Sequence, residues 1–98
     1  MNYSFHPEAE EEFLEAIEYY ENQQIGLGLD LSVEVHKTIS RILSHPESWT
    51  RLSRQIRRIL VHRFPYALLY HYNADSRAVY IIAVMHLHIE PDYWIERV

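Results

Sequence analysis

Apolar residues recur along the first half of the chain with the period of a helix. Ala9, Phe13, Ala16, Ile17 and Tyr20 follow one another at offsets of 4, 7, 8 and 11 from the first, which places them on one face of an amphipathic helix. Pro7 suits the first helical position, where a missing amide hydrogen costs nothing. Glutamates fill the opposite face, and those in the first turn complement the helix dipole. The pattern predicts a helix from Pro7 to about Asn22. Leu31, Val35, Ile39, Ile42 and Leu43 repeat the spacing, predicting a second helix over about Leu29 to Ser44. Gly26 and Gly28 supply the turn between them, and His45-Pro46 the stop. So short a connection makes the two an antiparallel helical hairpin.

After Pro46 the period changes. Glu47 to Arg54 reads as a loop around Trp49. Ile56 to Val61 is a strand with apolar and basic faces. Tyr66 to Tyr72 is strongly β-prone, with Leu68, Tyr70 and Tyr72 on one face. Asn73-Ala74-Asp75-Ser76 is a turn cluster. Ala78 to Met85 is almost wholly apolar, as expected at the centre of a sheet, and Asp92 to Arg97 reads as a short terminal helix. Asn2 to Phe5 alternates and reads as a short first strand. Helices followed by strands point to an α+β fold, and short turns between strands to antiparallel pairing. The expected architecture is a helical hairpin packed on one face of a twisted antiparallel sheet, with a short C-terminal helix or tail. The other sheet face is left for a partner or target.

The chain has 98 residues, the size of one domain. It contains no cysteine, which excludes a disulfide scaffold and cysteine-ligated zinc. No apolar run approaches the roughly 20 residues of a membrane span. The polar, acidic start is unlike a signal peptide, so a soluble cytoplasmic protein without membrane association is expected. The net charge of −5 and pI of 5.7 argue against a general nucleic-acid binder. The charge is unevenly spread. Seven of the fourteen acids lie between Glu8 and Glu21, and five of the nine bases between Arg51 and Arg63, so the two ends present different fields to partners.

Candidate chemistry is sparse. His86 and His88 place two rings on one side of an extended segment, but zinc takes three or four ligands. Local hydrogen bonding at a strand end is expected instead, and no metal or cofactor. Arg57 and Arg58 point to opposite faces of their strand, with Arg63 close by. They suit either a phosphate- or carboxylate-binding role or a solvated edge. The helix-one glutamates occupy many adjacent positions, as a solvated face does, whereas catalytic carboxylates are few and perturbed. No nucleophile elbow or phosphate loop is present.

Several segments together carry a resemblance. F-x-P-E-A-x-x-E (Phe5 to Glu12) opens the chain, followed by A-I-E-Y-Y (Ala16 to Tyr20) and a glycine-bearing hinge. I-R-R (Ile56 to Arg58), R-F-P-Y-x-L-x-Y (Arg63 to Tyr70), A-V-x-H (Ala83 to His86) and P-D-Y-W-x-x-R (Pro91 to Arg97) follow. In this order they resemble the ParE-like branch of the RelE/ParE toxin superfamily, often labelled plasmid stabilisation proteins. The resemblance implies a toxin of a type II toxin–antitoxin module, neutralised by a cognate antitoxin whose disordered segment folds on binding. It also implies one of two actions: inhibition of DNA gyrase, as in ParE-type members, or cleavage of mRNA on the ribosome, as in RelE-type members. The residues favour the first. RelE-type nucleases carry an arginine three residues before the tyrosine matching Tyr70, where this chain has Ala67, and no Lys or Arg stands between Arg77 and Arg97. Tyr93 falls where a RelE-type catalytic tyrosine would, but developing phosphate charge needs cationic stabilisation. Many ParE-like members read H-x-x-R-x-P-x-Y-W near the C-terminus, and here Ile89 stands at the arginine. The expected functional face comprises Arg57, Arg58, Arg63, His86, Tyr93, Trp94 and Arg97, acting by binding, with no nucleic-acid contact except through the antitoxin complex. Tyr93 and Trp94 equally suit a role in capping the core, and Arg97 a pair with Glu12 or Glu15. The alternatives are a RelE-type mRNA endonuclease and a degenerate, non-toxic antitoxin-binding module.

Overall fold

The computed structural model describes residues 1–98. Its elements run β1 (Asn2–Phe5), α1 (Pro7–Gln23), α2 (Leu27–Ser44), β2 (Thr50–Arg51), β3 (Arg57–Leu60), β4 (Tyr66–Asn73) and β5 (Ala78–His86), ending in a 3-10 turn at Ile95–Arg97. The strands form one sheet in the order β1-β5-β4-β3-β2. Strands β2 to β5 make an antiparallel meander, as their short turns require. β1 differs. No short turn ties it to a neighbour, because the helical hairpin and the meander separate it from β5, and it pairs parallel to that strand. The sheet is therefore mixed. The terminal segment makes one 3-10 turn rather than a helix spanning Asp92 to Arg97.

The hinge between the helices depends on its two glycines and on a carboxylate. Gly26 sits at φ +91°, a conformation that side chains disfavour. A Cβ on Gly28 would lie 2.7 Å from the Ile17 carbonyl oxygen, so only glycine lets α2 approach α1 this closely. Glu21, in the last turns of α1, accepts from the Gly26 and Gly28 amides at 3.0 and 3.1 Å. It satisfies amides at the start of α2 that have no partner within their own helix.

The helices cover one sheet face. Ala9, Phe13 and Ala16 of α1 and Leu31, Val35, Ile39 and Ile42 of α2 pack with Ile59, Leu68, Tyr70, Val79, Ile81 and Val84. The opposite face is not left bare. Ile56, Ala67, Leu69, Ile82, Ala83 and Met85 form a second apolar cluster closed by Trp94, which is 6% exposed. Both faces of β5 are thus buried, as its unbroken apolar run requires. A bulge makes this arrangement. Leu69 pairs with Ala83 and Tyr70 with Ile81, leaving Ile82 as an extra residue. The inserted residue reverses the in–out alternation, so that Ile81 and Val84 face the helices while Ile82 and Ala83 face Trp94.

Candidate functional site

The site grows from an edge that β1 leaves uncovered. β1 pairs with Ala78 to Ile81, and the next amide along, that of His6, donates to the Ile81 carbonyl at 2.8 Å. Beyond this point the outer edge of β5 has no strand beside it. Side chains complete it. Glu12 Oε1 accepts from the Val84 amide at 3.0 Å, and Arg97 Nη1 donates to the Ile82 carbonyl at 2.9 Å. The two side chains also bind each other, with Arg97 Nη2 2.8 Å from Glu12 Oε2. Glu8 adds a contact of 3.0 Å to Arg97 Nε. The Arg97 guanidinium lies 4.8 Å from the centroid of the Tyr93 ring. Trp94 Nε1 donates to the Pro91 carbonyl at 2.7 Å within the terminal segment. The Arg97 ion pairs fasten that segment to α1, and the packing of Trp94 in the second cluster fastens it to the far face of the sheet.

Beside this clamp lies a recess of about 500 Å³ lined by Glu12, Glu15, Ala16, Tyr19, Tyr20, Tyr66, Val84, His86, Ile89 and Tyr93. Its wall is a chain of aromatic rings in edge-to-face contact. Tyr19 and Tyr20 are 5.1 Å apart, Tyr20 and Tyr66 6.2 Å, and Tyr66 and His86 5.1 Å. Burial, reinforced by the neighbouring phenols, raises the pKa of Tyr20 and Tyr66. Tyr93 is raised further, first by burial and then by the Glu12 carboxylate beside it, against the opposing pull of Arg97. These phenols stay neutral through the physiological range. His86 Nδ1 accepts from the His88 amide at 3.1 Å, the local bonding expected of the pair.

The expected functional residues fall into three places. His86 and Tyr93 line the recess, with Arg97 and Trp94 fixing the segment that carries Tyr93. Arg57 and Arg58 lie on β3, with β4 between them and β5. Arg57 Nη1 donates to the Trp49 carbonyl at 2.9 Å and borders a cleft with Arg51, Arg54, His71 and Glu47. Arg58 borders a different hollow with Arg41, Trp49 and His62. Arg63 stands apart, 3.4 Å from Asp30 and 3.9 Å from Glu34, with its guanidinium 5.4 Å from the Phe64 ring centroid. The sequence reading missed Glu15, Tyr19, Tyr20 and Tyr66 as parts of one site. The Tyr19-Tyr20 pair was the available signal, since a helix that buries one tyrosine of a pair turns the other outward.

Known proteins agree with this architecture. The family model of the ParE toxin of type II toxin–antitoxin systems matches residues 3–89. No curated protein sequence matches the chain. Among solved structures, a chain of the chromosomal ParDE system from P. aeruginosa superimposes with a TM-score of 0.71 at 11% identity, covering 90% of this chain and 97% of that one. An arginine-to-alanine double mutant of the E. coli toxin RelE in the free state gives 0.73 at 18% identity, covering 99% and 96%. The same mutant in complex with a peptide of the antitoxin RelB gives 0.62 at 17%, covering 99% and 93%. At these identities the structures speak for the fold. The family match takes in most of β1, the glycine hinge and every strand of the meander, and on that match the chain belongs to the ParE toxin family of type II toxin–antitoxin systems.

Proposed function

We propose that this chain is a toxin that acts by stoichiometric binding to a protein target, DNA gyrase, and is silenced by a cognate antitoxin. The surroundings of Tyr93 carry this reading. Cleavage of RNA requires a base that ionises readily and a cation to meet the developing phosphate charge. Tyr93 is harder to ionise than a free tyrosine and shares its recess with Glu12 and Glu15, which repel a phosphodiester. The neighbouring guanidinium of Arg97 is already engaged by Glu8, Glu12 and the Ile82 carbonyl. Ala67, at the position of the RelE-type strand arginine, is fully buried in the far-face cluster under Trp94. Membership of the ParE family and the resemblance of its motifs support gyrase as the target.

The test is a titration of the purified chain against gyrase-catalysed supercoiling, with ribosomes translating a defined mRNA as a parallel arm. Inhibition that saturates near equimolar toxin and is reversed by the antitoxin is the expected result. Unimpaired supercoiling at stoichiometric excess of folded protein overturns the gyrase assignment. Cleavage of the ribosome-bound message overturns the binding mode.

A further inference from the structure

The recess beside the Arg97 clamp has the chemistry of a cation acceptor, and the protein's own cations leave it open. Its wall is the run of ring contacts from Tyr19 through Tyr20 and Tyr66 to His86. Ring faces attract cations, most strongly where water is partly excluded. At its mouth stands Glu15, which has no ion pair within the chain, whereas Glu8 and Glu12 are held by Arg97. Helix α1 supplies seven acids between Glu8 and Glu21 and no base, so the potential over the mouth is negative. Ile89, 46% exposed, provides an apolar lip.

We infer that this recess takes an arginine side chain of the antitoxin, its guanidinium stacked on the tyrosine wall and paired with Glu15. The inference rests on the reading of the chain as an antitoxin-bound toxin. Charge complementarity selects a basic occupant. The planar, weakly hydrated guanidinium suits stacking better than a compact ammonium. The volume, about 500 Å³, exceeds one arginine side chain and leaves room for an apolar neighbour against Ile89, which suits a polypeptide better than a small free cation.

The probe is n-butylguanidinium, with the uncharged n-butylurea as its isostere, titrated into the isolated chain and followed by heteronuclear NMR. Millimolar binding is expected, with shifts centred on Tyr19, Tyr20 and His86, and the urea should bind about fivefold more weakly or less well still. Glu15→Gln alters an exposed side chain and should weaken the probe about two- to fivefold. Ile89→Arg should fill the recess in cis and abolish binding. Against a cognate antitoxin, Glu15→Arg should weaken the complex by about tenfold.

Equal affinity for the urea, or shifts spread along the whole glutamate face and insensitive to Glu15→Gln, overturn the cation site. Micromolar affinity for the free probe overturns the partner assignment in favour of a small-molecule site. Antitoxin affinity unchanged by Glu15→Arg overturns the docking. The titration involves neither gyrase nor growth, so its failure is separate from a failure of the toxin reading.

Discussion

At the scale of single residues, context separates side chains that the sequence makes equivalent. Tyr66, Tyr70 and Tyr72 alternate along one strand. The alternation puts Leu68, Tyr70 and Tyr72 on one face, and the structure shows that this face meets the helices. What Tyr70 does there was not legible, because its partner lies in the loop after α2. Its ring is fully buried and its hydroxyl donates to the Pro46 carbonyl at 2.6 Å. Burial pushes its pKa from 10.0 up to about 12, against the opposing charge of Arg57. The folded state therefore holds this proton more tightly than the unfolded state. Stability is fully present below about pH 10 and is lost as pH rises toward 12, by roughly 2–3 kcal/mol from this residue. Chemical denaturation at intervals across that range should show the fall, and Tyr70→Phe should make it shallower. Parallel pH profiles for the parent and Tyr70→Phe would contradict the assignment.

The glutamates of α1 tell the same story between residues and elements. Read as a sequence, seven acids look like one solvated face. In the fold Glu21 caps α2, Glu12 completes the open edge of β5, and Glu15 stands at the recess. Arg97 was expected to meet Glu12 or Glu15. It does meet Glu12, and it takes Glu8 as a second partner rather than Glu15, because residues four apart share a helix face and the terminal segment crosses α1 near its start.

At the scale of elements, what was legible was whatever hydrophobic period encodes: both helices, the glycine hinge, the two long strands and the turn between them. The parallel pairing of β1 was not, since it joins residues more than seventy positions apart and no local pattern records it. Nor was the bulge at Ile82, because a wholly apolar run reads the same in either register. These two features create the site. The end of β1 exposes the edge of β5, and the bulge turns Ile82 to the face where Trp94 closes over it. The Glu12–Arg97 clamp is thus a substitute for a missing strand, and its side chains are only 21% and 10% exposed. Arg97→Ala leaves a half-buried carboxylate and the Ile82 carbonyl without partners. It should cost about 2–4 kcal/mol in urea unfolding, with part of the loss recovered by adding Glu12→Gln. A cost under about 0.5 kcal/mol would place the pair with ordinary surface salt bridges and contradict the clamp.

At the scale of the whole molecule, charge follows topology. Helix α1 brings its acids to the β1–β5 side of the sheet, and the hairpin of β2 and β3 brings Arg51, Arg54, Arg57 and Arg58 to the other. The molecule is 41 Å in its longest dimension, several times the roughly 8 Å screening length at physiological salt. The two fields therefore act separately, a negative one beside the tyrosine recess and a positive one along the arginine edge. This division suits a toxin that binds its antitoxin and its target through different regions. No helix of the protein is long and apolar enough to cross a membrane.

The central claim is action by binding, with Tyr93 a wall of the site and not its chemistry. Growth after induction of the chain alone, beside Tyr93→Phe and with or without the antitoxin, tests it most directly. Arrest by both proteins, relieved in both cases by the antitoxin, is the predicted result. Loss of arrest in soluble, folded Tyr93→Phe would make the hydroxyl catalytic, and no arrest by the folded parent would leave an antitoxin-binding module without a toxin's action; either result contradicts the account.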